Sequence, residues 1–156
     1  MSATTNYVFH REYRGTVKAL ILDWSGTVAD AYVIAPAVVF VEVFHNQGVE
    51  ISMEEARGPM GLRKDLHIKA LTEDPEIRRR WRMVHDRFPT QDDVDRMFED
   101  FVPAQLACLP KYTTLLPGIA EVTQRLQARG IKIGSSTGFI RPMVDILEAA
   151  AKEQGY

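Results

Sequence analysis

The 156-residue sequence holds a single cysteine, Cys108, which excludes an internal disulfide and fits a reducing compartment. Long apolar runs are missing as well. The longest uncharged stretch, Ala31 to Val41, is about half the ~20 residues that a bilayer span needs, and Pro36 interrupts it. The segment before Thr16 is polar and charged, without the apolar core of a signal peptide. A cytoplasmic chain with no membrane partner is therefore expected. Neither sign of charge dominates, the net charge being −2 and the pI near 6.1. The one basic cluster, Arg78-Arg79-Arg80-Trp81-Arg82, has acidic residues alternating nearby, so it reads as a solvated helix face and no nucleic-acid partner is expected. Internal repeats and low-complexity segments are absent. What remains, 46% hydrophobic and 26% charged residues, is the balance of an ordinary globular domain.

Within that balance one segment is unusual: Ala19-Leu20-Ile21-Leu22-Asp23-Trp24-Ser25-Gly26-Thr27 is an apolar run that delivers an aspartate onto a glycine-containing turn. A parallel strand buried on both faces reads as continuous hydrophobics, and functional groups collect just past the carboxyl ends of such strands. Asp23 stands there as a candidate nucleophile for phosphoryl transfer. Gly26 permits a tight turn whose amides can face a phosphate, and Thr27 can hydrogen-bond the aspartate or the loop. A helix-capping aspartate is the alternative reading of Asp23.

Two further segments carry polar groups in suggestive places. After a turn set by Pro59 and Gly61, Lys64 and His67 stand three apart on one helical face, a spacing that also suits a plain solvated surface. Ile131-Lys132-Ile133-Gly134-Ser135-Ser136-Thr137-Gly138 reads as a strand ending in hydroxyl residues, in composition an ordinary loop.

The pattern predicts a strand over Thr16–Leu22 and a helix over Ala35–Gln47 closed by Gly48, with Val38, Phe40, Val41 and Phe44 on its apolar side. Ser52 and Glu55 fit a capping box. Asp74-Pro75 opens a charged helix to about Arg87, and Pro89-Thr90, with Asp93 in the box position, opens another to about Cys108. A helix to Arg129 stopped by Gly130, a strand over Ile131–Ser136 and a helix from near Pro142 follow. The expected architecture is α/β: a core from residues 1–33 and 113–156, with a helical insertion over 34–112.

The segment around Asp23 resembles the first motif of the haloacid dehalogenase superfamily, Asp-x-Asp-Gly-Thr, with Ser25 in place of the second aspartate. Together with Arg57-Gly58-Pro59-Met60-Gly61-Leu62-Arg63-Lys64 and the Ile131–Gly138 segment, it is similar to the phosphonatase family, the phosphonoacetaldehyde hydrolases. The resemblance runs from about Val17 to Tyr156. It implies a Rossmannoid core, present in part, with an inserted α-helical cap. It also implies Asp23 as nucleophile and Lys64 as the amine that forms an imine with an aldehyde substrate. Met60 and His67 would line the same pocket, with His67 relaying protons. Trp24, Thr27, Gly138 and either Thr137 or Ser136 would bind substrate and phosphate. Mg²⁺ would be held by Asp23 and the Ser25 backbone carbonyl. The implied partner is a small-molecule phosphonate, and the implied assembly a homodimer. Phe139 departs from the tyrosine expected in relatives, and Ser25 from their alanine.

These departures have a chemical logic. Most phosphatases of the superfamily use the second aspartate as a general acid, a contribution of about 10²- to 10⁴-fold that serine cannot supply at neutral pH. A protonated imine removes that need, because it accepts the electron pair of the breaking carbon–phosphorus bond as an enamine. Lys64 must then be neutral, well below the usual ~10.4. Burial under the cap and the positive charges of Arg63, His67 and Lys69 are the expected causes. The family's third motif, a phosphate-binding Lys or Arg, and its fourth, acidic metal ligands, would lie beyond Tyr156. The expectations are accordingly a truncated phosphonatase, a non-catalytic fragment serving as an assembly module, or a cap-bearing phosphatase acting on a phosphate ester.

Overall fold

A computed structural model describes residues 15–156. The expectation of no signal peptide falls almost wholly on residues outside that range. Strand β1 (Ala19–Leu22) is followed by five helices: α1 (Ile34–Asn46), α2 (Met53–Arg57), α3 (Lys64–Glu73), α4 (Pro75–His85) and α5 (Gln91–Cys108). A short 3₁₀ turn (Leu109–Tyr112) leads to α6 (Ile119–Gln127), strand β2 (Lys132–Ser135) and α7 (Arg141–Glu153). The two strands pair in parallel, Ala19 opposite Lys132 and Leu22 opposite Ser135. Both are shorter than the sequence pattern predicts, at four residues each. Parallel pairing brings the two strand ends side by side, so the loops after Leu22 and Ser135 open at the same edge.

Local signals account for most helix boundaries. Ser52 and Glu55 form a reciprocal capping box, the Glu55 carboxylate accepting from the Ser52 amide at 2.7 Å and the Ser52 hydroxyl from the Glu55 amide at 3.1 Å. Asp74 caps α4 by accepting from the Glu76 amide at 2.9 Å, with Pro75 in the first turn. α4 ends at His85, two residues before the predicted Arg87, where Asp86 turns left-handed at φ 54°. Asp93 closes α5 by accepting from the Thr90 amide at 2.8 Å and receives the Arg87 and Arg96 guanidiniums. These bonds hold its carboxyl well below the usual carboxylate range, the Arg87 hydrogen bond being the largest cause.

α1 differs from expectation in its packing. Val39 and Val43 are buried with Phe40 and Phe44, whereas Val38 and Val41 are only half-buried. The helix is apolar on most sides because it lies beneath α2, α5 and the 3₁₀ turn, so no single stripe marks its core face. One continuous apolar cluster runs from Trp24 and Val28 through α1, α3 and α5 to Met143, Leu147 and Ala151 of α7. The helical stretch Ile34–Tyr112 thus shares a core with the strand-bearing segments. The basic cluster on α4 is occupied locally: Arg79 pairs with Glu76, Arg80 with Glu55, and Arg78 and Arg82 lie over the Phe88 ring, while Trp81 is buried. Among the described residues, no helix is long and apolar enough to cross a membrane.

Candidate active site

The aligned strand ends open onto a cleft of about 740 Å³ lined from three directions. Asp23 and Ser25 come from the end of β1, Ser136 to Ile140 from the end of β2, and Met60 to Lys64 from the turn that starts α3. Three segments far apart in sequence therefore meet at one point. Gly138 shows how tightly: a Cβ there would stand 2.9 Å from the Leu62 carbonyl oxygen. Only glycine lets the β2 loop press onto the segment that carries the lysine.

Asp23 is exposed in the cleft, and its Oδ1 accepts the Trp24 amide at 2.8 Å. That bond orients the carboxylate, which lines the cleft. The turn behind it is closed by its own backbone: the Gly26 amide donates to Ala29 at 2.8 Å and the Thr27 amide to Trp24 at 3.2 Å. Gly26 is held at φ 80°, where a Cβ would meet Val33 at 2.9 Å. These two amides are thus spent inside the loop. Thr27 does not line the cleft, and the Trp24 side chain is buried on the far side, its ring 5.9 Å from that of Tyr156.

Lys64 is buried to 6% exposure, yet lines the cleft. Its amine lies over two aromatic faces, 5.0 Å from the Phe139 ring centre and 5.8 Å from that of Phe40. Burial lowers its pKa to about 8, against the negative charge of Asp23, which holds it up. The cause differs in part from the one expected, since neighbouring positive charge is not what acts: Arg63 is engaged by Asp65 at 2.6 Å and Lys69 is exposed.

Met60 lines the cleft, whereas His67 is fully buried and is not among the residues that line it. Its Nε2 donates to the Ala56 carbonyl at 2.9 Å and its ring stacks on Phe40 at 3.9 Å. Because a carbonyl only accepts, the hydrogen is on Nε2 and Nδ1 is a bare, buried acceptor without a partner among the described residues. Burial lowers the His67 pKa to about 4, and the Lys64 charge adds to the lowering while the Ala56 bond opposes it. The ring is neutral at physiological pH and supports Phe40 beneath the lysine. Phe40 and Phe139 are the site residues whose contact with Lys64 sequence reasoning missed; Phe40 reads as plain core, and only its tertiary position reveals the contact.

Ser136 and Thr137 both line the cleft. The Thr137 hydroxyl accepts the Phe139 amide at 3.2 Å and retains its own hydrogen to donate, while Ser136 is exposed. For a divalent cation the chain offers Asp23 and the Ser25 carbonyl. No group of three or more potential ligand side chains occurs among the described residues. Asp30, the other carboxylate nearby in sequence, caps α1 through the Ile34 and Ala35 amides, both at 3.0 Å. The donor set fits Mg²⁺ only in part, one carboxylate and one carbonyl leaving the remaining positions to water and substrate oxygens.

Phosphonoacetaldehyde hydrolase of Bacillus cytotoxicus is 49% identical over 140 residues, and that of Bacillus mycoides 47%. The chain is a homologue of the phosphonoacetaldehyde hydrolases. Each match takes in 90% of the chain but 53% of the relative, so the chain spans about half the length of these curated relatives. A solved phosphonoacetaldehyde hydrolase-like protein from Oleispira antarctica superposes with a TM-score of 0.89 at 37% identity, over 99% of this chain and 55% of the other. A hydrolase from Pseudomonas syringae shares the fold alone, at TM-score 0.70 and 19% identity. No protein-family model matches. The fold is that of the haloacid dehalogenase hydrolases, part of the α/β core together with a helical cap.

Proposed function

We propose that this chain carries the aldehyde-binding and nucleophilic half of a phosphonatase site, which acts on phosphonoacetaldehyde through an imine on Lys64 and an aspartyl phosphate on Asp23. The observation that carries the reading is one cleft holding a carboxylate and a buried lysine with a pKa near 8. An amine in that range is neutral in about a tenth of molecules at pH 7, against less than one in a thousand for an unperturbed lysine. It can therefore act as a nucleophile without a dedicated base.

The steps follow from the groups present. Neutral Lys64 Nζ adds to the aldehyde carbon, and loss of water with uptake of one proton from solvent leaves a protonated imine. Asp23 Oδ2 then attacks phosphorus in line. The carbon–phosphorus bond breaks and its electron pair passes into the imine as an enamine. The Thr137 or Ser136 hydroxyl donates to the phosphoryl oxygens during transfer. Protonation of the enamine carbon and hydrolysis of the new imine release acetaldehyde and return Lys64. Water finally cleaves the aspartyl phosphate to inorganic phosphate. Mg²⁺, bound at Asp23 and Ser25, would offset the negative charge on the phosphoryl oxygens. His67 acts from behind the site, keeping Phe40 in place without adding a charge.

The test is intact mass after incubation with phosphonoacetaldehyde and borohydride. A reduced adduct that maps to Lys64 and is absent from Lys64→Arg is expected. Trapping should rise with pH around a midpoint near 8, because only the neutral amine reacts. Asp23→Asn should keep the adduct but lose any phosphoenzyme. An adduct that survives in Lys64→Arg would remove the imine role, and phosphate release from a phosphate ester without an adduct would favour an ordinary phosphatase.

A further inference from the structure

Lys64 has been assigned a nucleophilic task, but its position cannot come from hydrogen bonding to a fixed carboxylate. Its amine approaches Asp23 closely enough to feel its charge, yet the two form no ion pair within 4.0 Å among the described residues. The groups that face the amine come from four elements. Asp23 lies on the β1 loop, Phe40 on α1, His67 on α3 and Phe139 on the loop after β2. Arg63, its chain neighbour, is turned to Asp65. Of the four residues that face the amine, Phe139 and Asp23 line the cleft with the lysine. The Phe139 centroid is also the nearer of the two rings, at 5.0 Å, inside the range in which an aromatic face attracts a cation.

Phe139 is itself tied down. Its amide donates to the Thr137 hydroxyl, and the preceding Gly138 packs against the Leu62 carbonyl with no room for a side chain. The loop that carries the hydroxyls and the turn that carries the lysine are therefore in direct backbone contact. The ring bridges the same two segments one residue further along.

Resting on the imine reading above, we propose that Phe139 is a positioning residue for Lys64: its aromatic face holds the amine over the cleft and registers the lysine-bearing turn against the hydroxyl-bearing loop. A phenyl face suits this task because it attracts the ammonium without donating or accepting a proton. The nucleophile is held in the resting state and released, uncharged, when the imine forms. The hydroxyl that a tyrosine would bring is not needed for the attraction, which resides in the ring face.

The direct readout is the NMR signal of the Lys64 ε-methylene in protein labelled with ¹³C at lysine Cε, assigned by its loss in Lys64→Arg. In the parent chain it should resonate upfield of the exposed lysines, as a methylene over an aromatic face does. Phe139→Leu, which keeps bulk but removes the ring, should return it toward the other lysines; Phe139→Tyr should leave it upfield. Trapping of the aldehyde adduct at a fixed low aldehyde concentration should fall in Phe139→Leu, because the amine is no longer registered over the cleft, and recover in Phe139→Tyr. A Lys64 signal unmoved by Phe139→Leu would overturn the proposal, as would a parent signal within the exposed lysines. The parent spectrum alone thus decides against it even if Phe139→Leu does not fold. If the parent shows the upfield signal but forms no adduct, the positioning stands and the imine reading fails.

Discussion

At the level of single residues, the site's central group is costly to the fold. Lys64 is buried among aromatic rings, and burial rather than a neighbouring charge lowers its pKa from 10.5 to about 8. The native state therefore disfavours the protonated amine. Between pH 8 and 10.5 the unfolded chain binds more protons than the folded one, so this group's penalty is full below pH 8 and disappears as pH rises through that window. Lys64→Met, of similar length and uncharged, is expected to raise stability at pH 7 by up to about 3 kcal/mol while removing the aldehyde adduct. Urea denaturation of the two proteins at pH 7 and pH 10 checks both parts, and the gain should be smaller at the higher pH. Loss of stability at both values would mean that the ammonium is favourably solvated in the native state. Asp23 and Lys64 were both legible as candidates in the sequence. Asp23 follows an apolar run, and Lys64 opens a helix after a Pro-Gly turn. The burial of His67 was not legible because three residues along a helix fixes only a shared face. Its seat under Phe40 and against Ala56 depends on a contact eleven residues away and a helix from another segment.

At the level of elements, caps were legible and packing faces were not. Ser52, Asp74 and Thr90 start helices by hydrogen bonds that span at most three residues, so a short window of sequence contains the whole cause. α1 offered no such window, since its buried residues are chosen by neighbours from α2 and α5. Asp93 is the cap with the most partners, and its buried carboxylate receives Thr90, Arg87 and Arg96. Asp93→Ala should cost about 2–4 kcal/mol, combining a lost cap with the unpairing of a buried charge network, which chemical denaturation would reveal. The lowered Asp93 pKa means its contribution is present above the ordinary value of 3.8 and is lost as pH falls below it. A variant that matched the parent at pH 7 would show that the arginines find other partners. The loop after β2 offers a second test. Gly138→Ala inserts a methyl group 2.9 Å from the Leu62 oxygen, which forces the hydroxyl loop from the lysine turn. Adduct trapping should fall by tenfold or more with the circular dichroism spectrum unchanged, and normal trapping would show that the contact yields without consequence.

For the whole molecule, the relevant distance is along the chain. β1 and β2 pair across more than a hundred intervening residues, most of them helical. Closing so long a loop by strand pairing alone carries a large entropy cost before any bond is gained, whereas the α1–α3–α5 cluster forms from nearer neighbours and draws the two ends together. The helices are expected to assemble first and the strand pair last. In refolding, helical ellipticity should recover before reactivity of Lys64 toward an aldehyde. Recovery of both in one phase would put strand pairing in the initial nucleus. Because Asp23 follows one strand and Thr137 the other, their separation stays undefined until that final pairing. The spacing of these two side chains thus comes into being in the last folding event, and a chain caught just short of it would look well folded by its helices while its cleft was still unassembled.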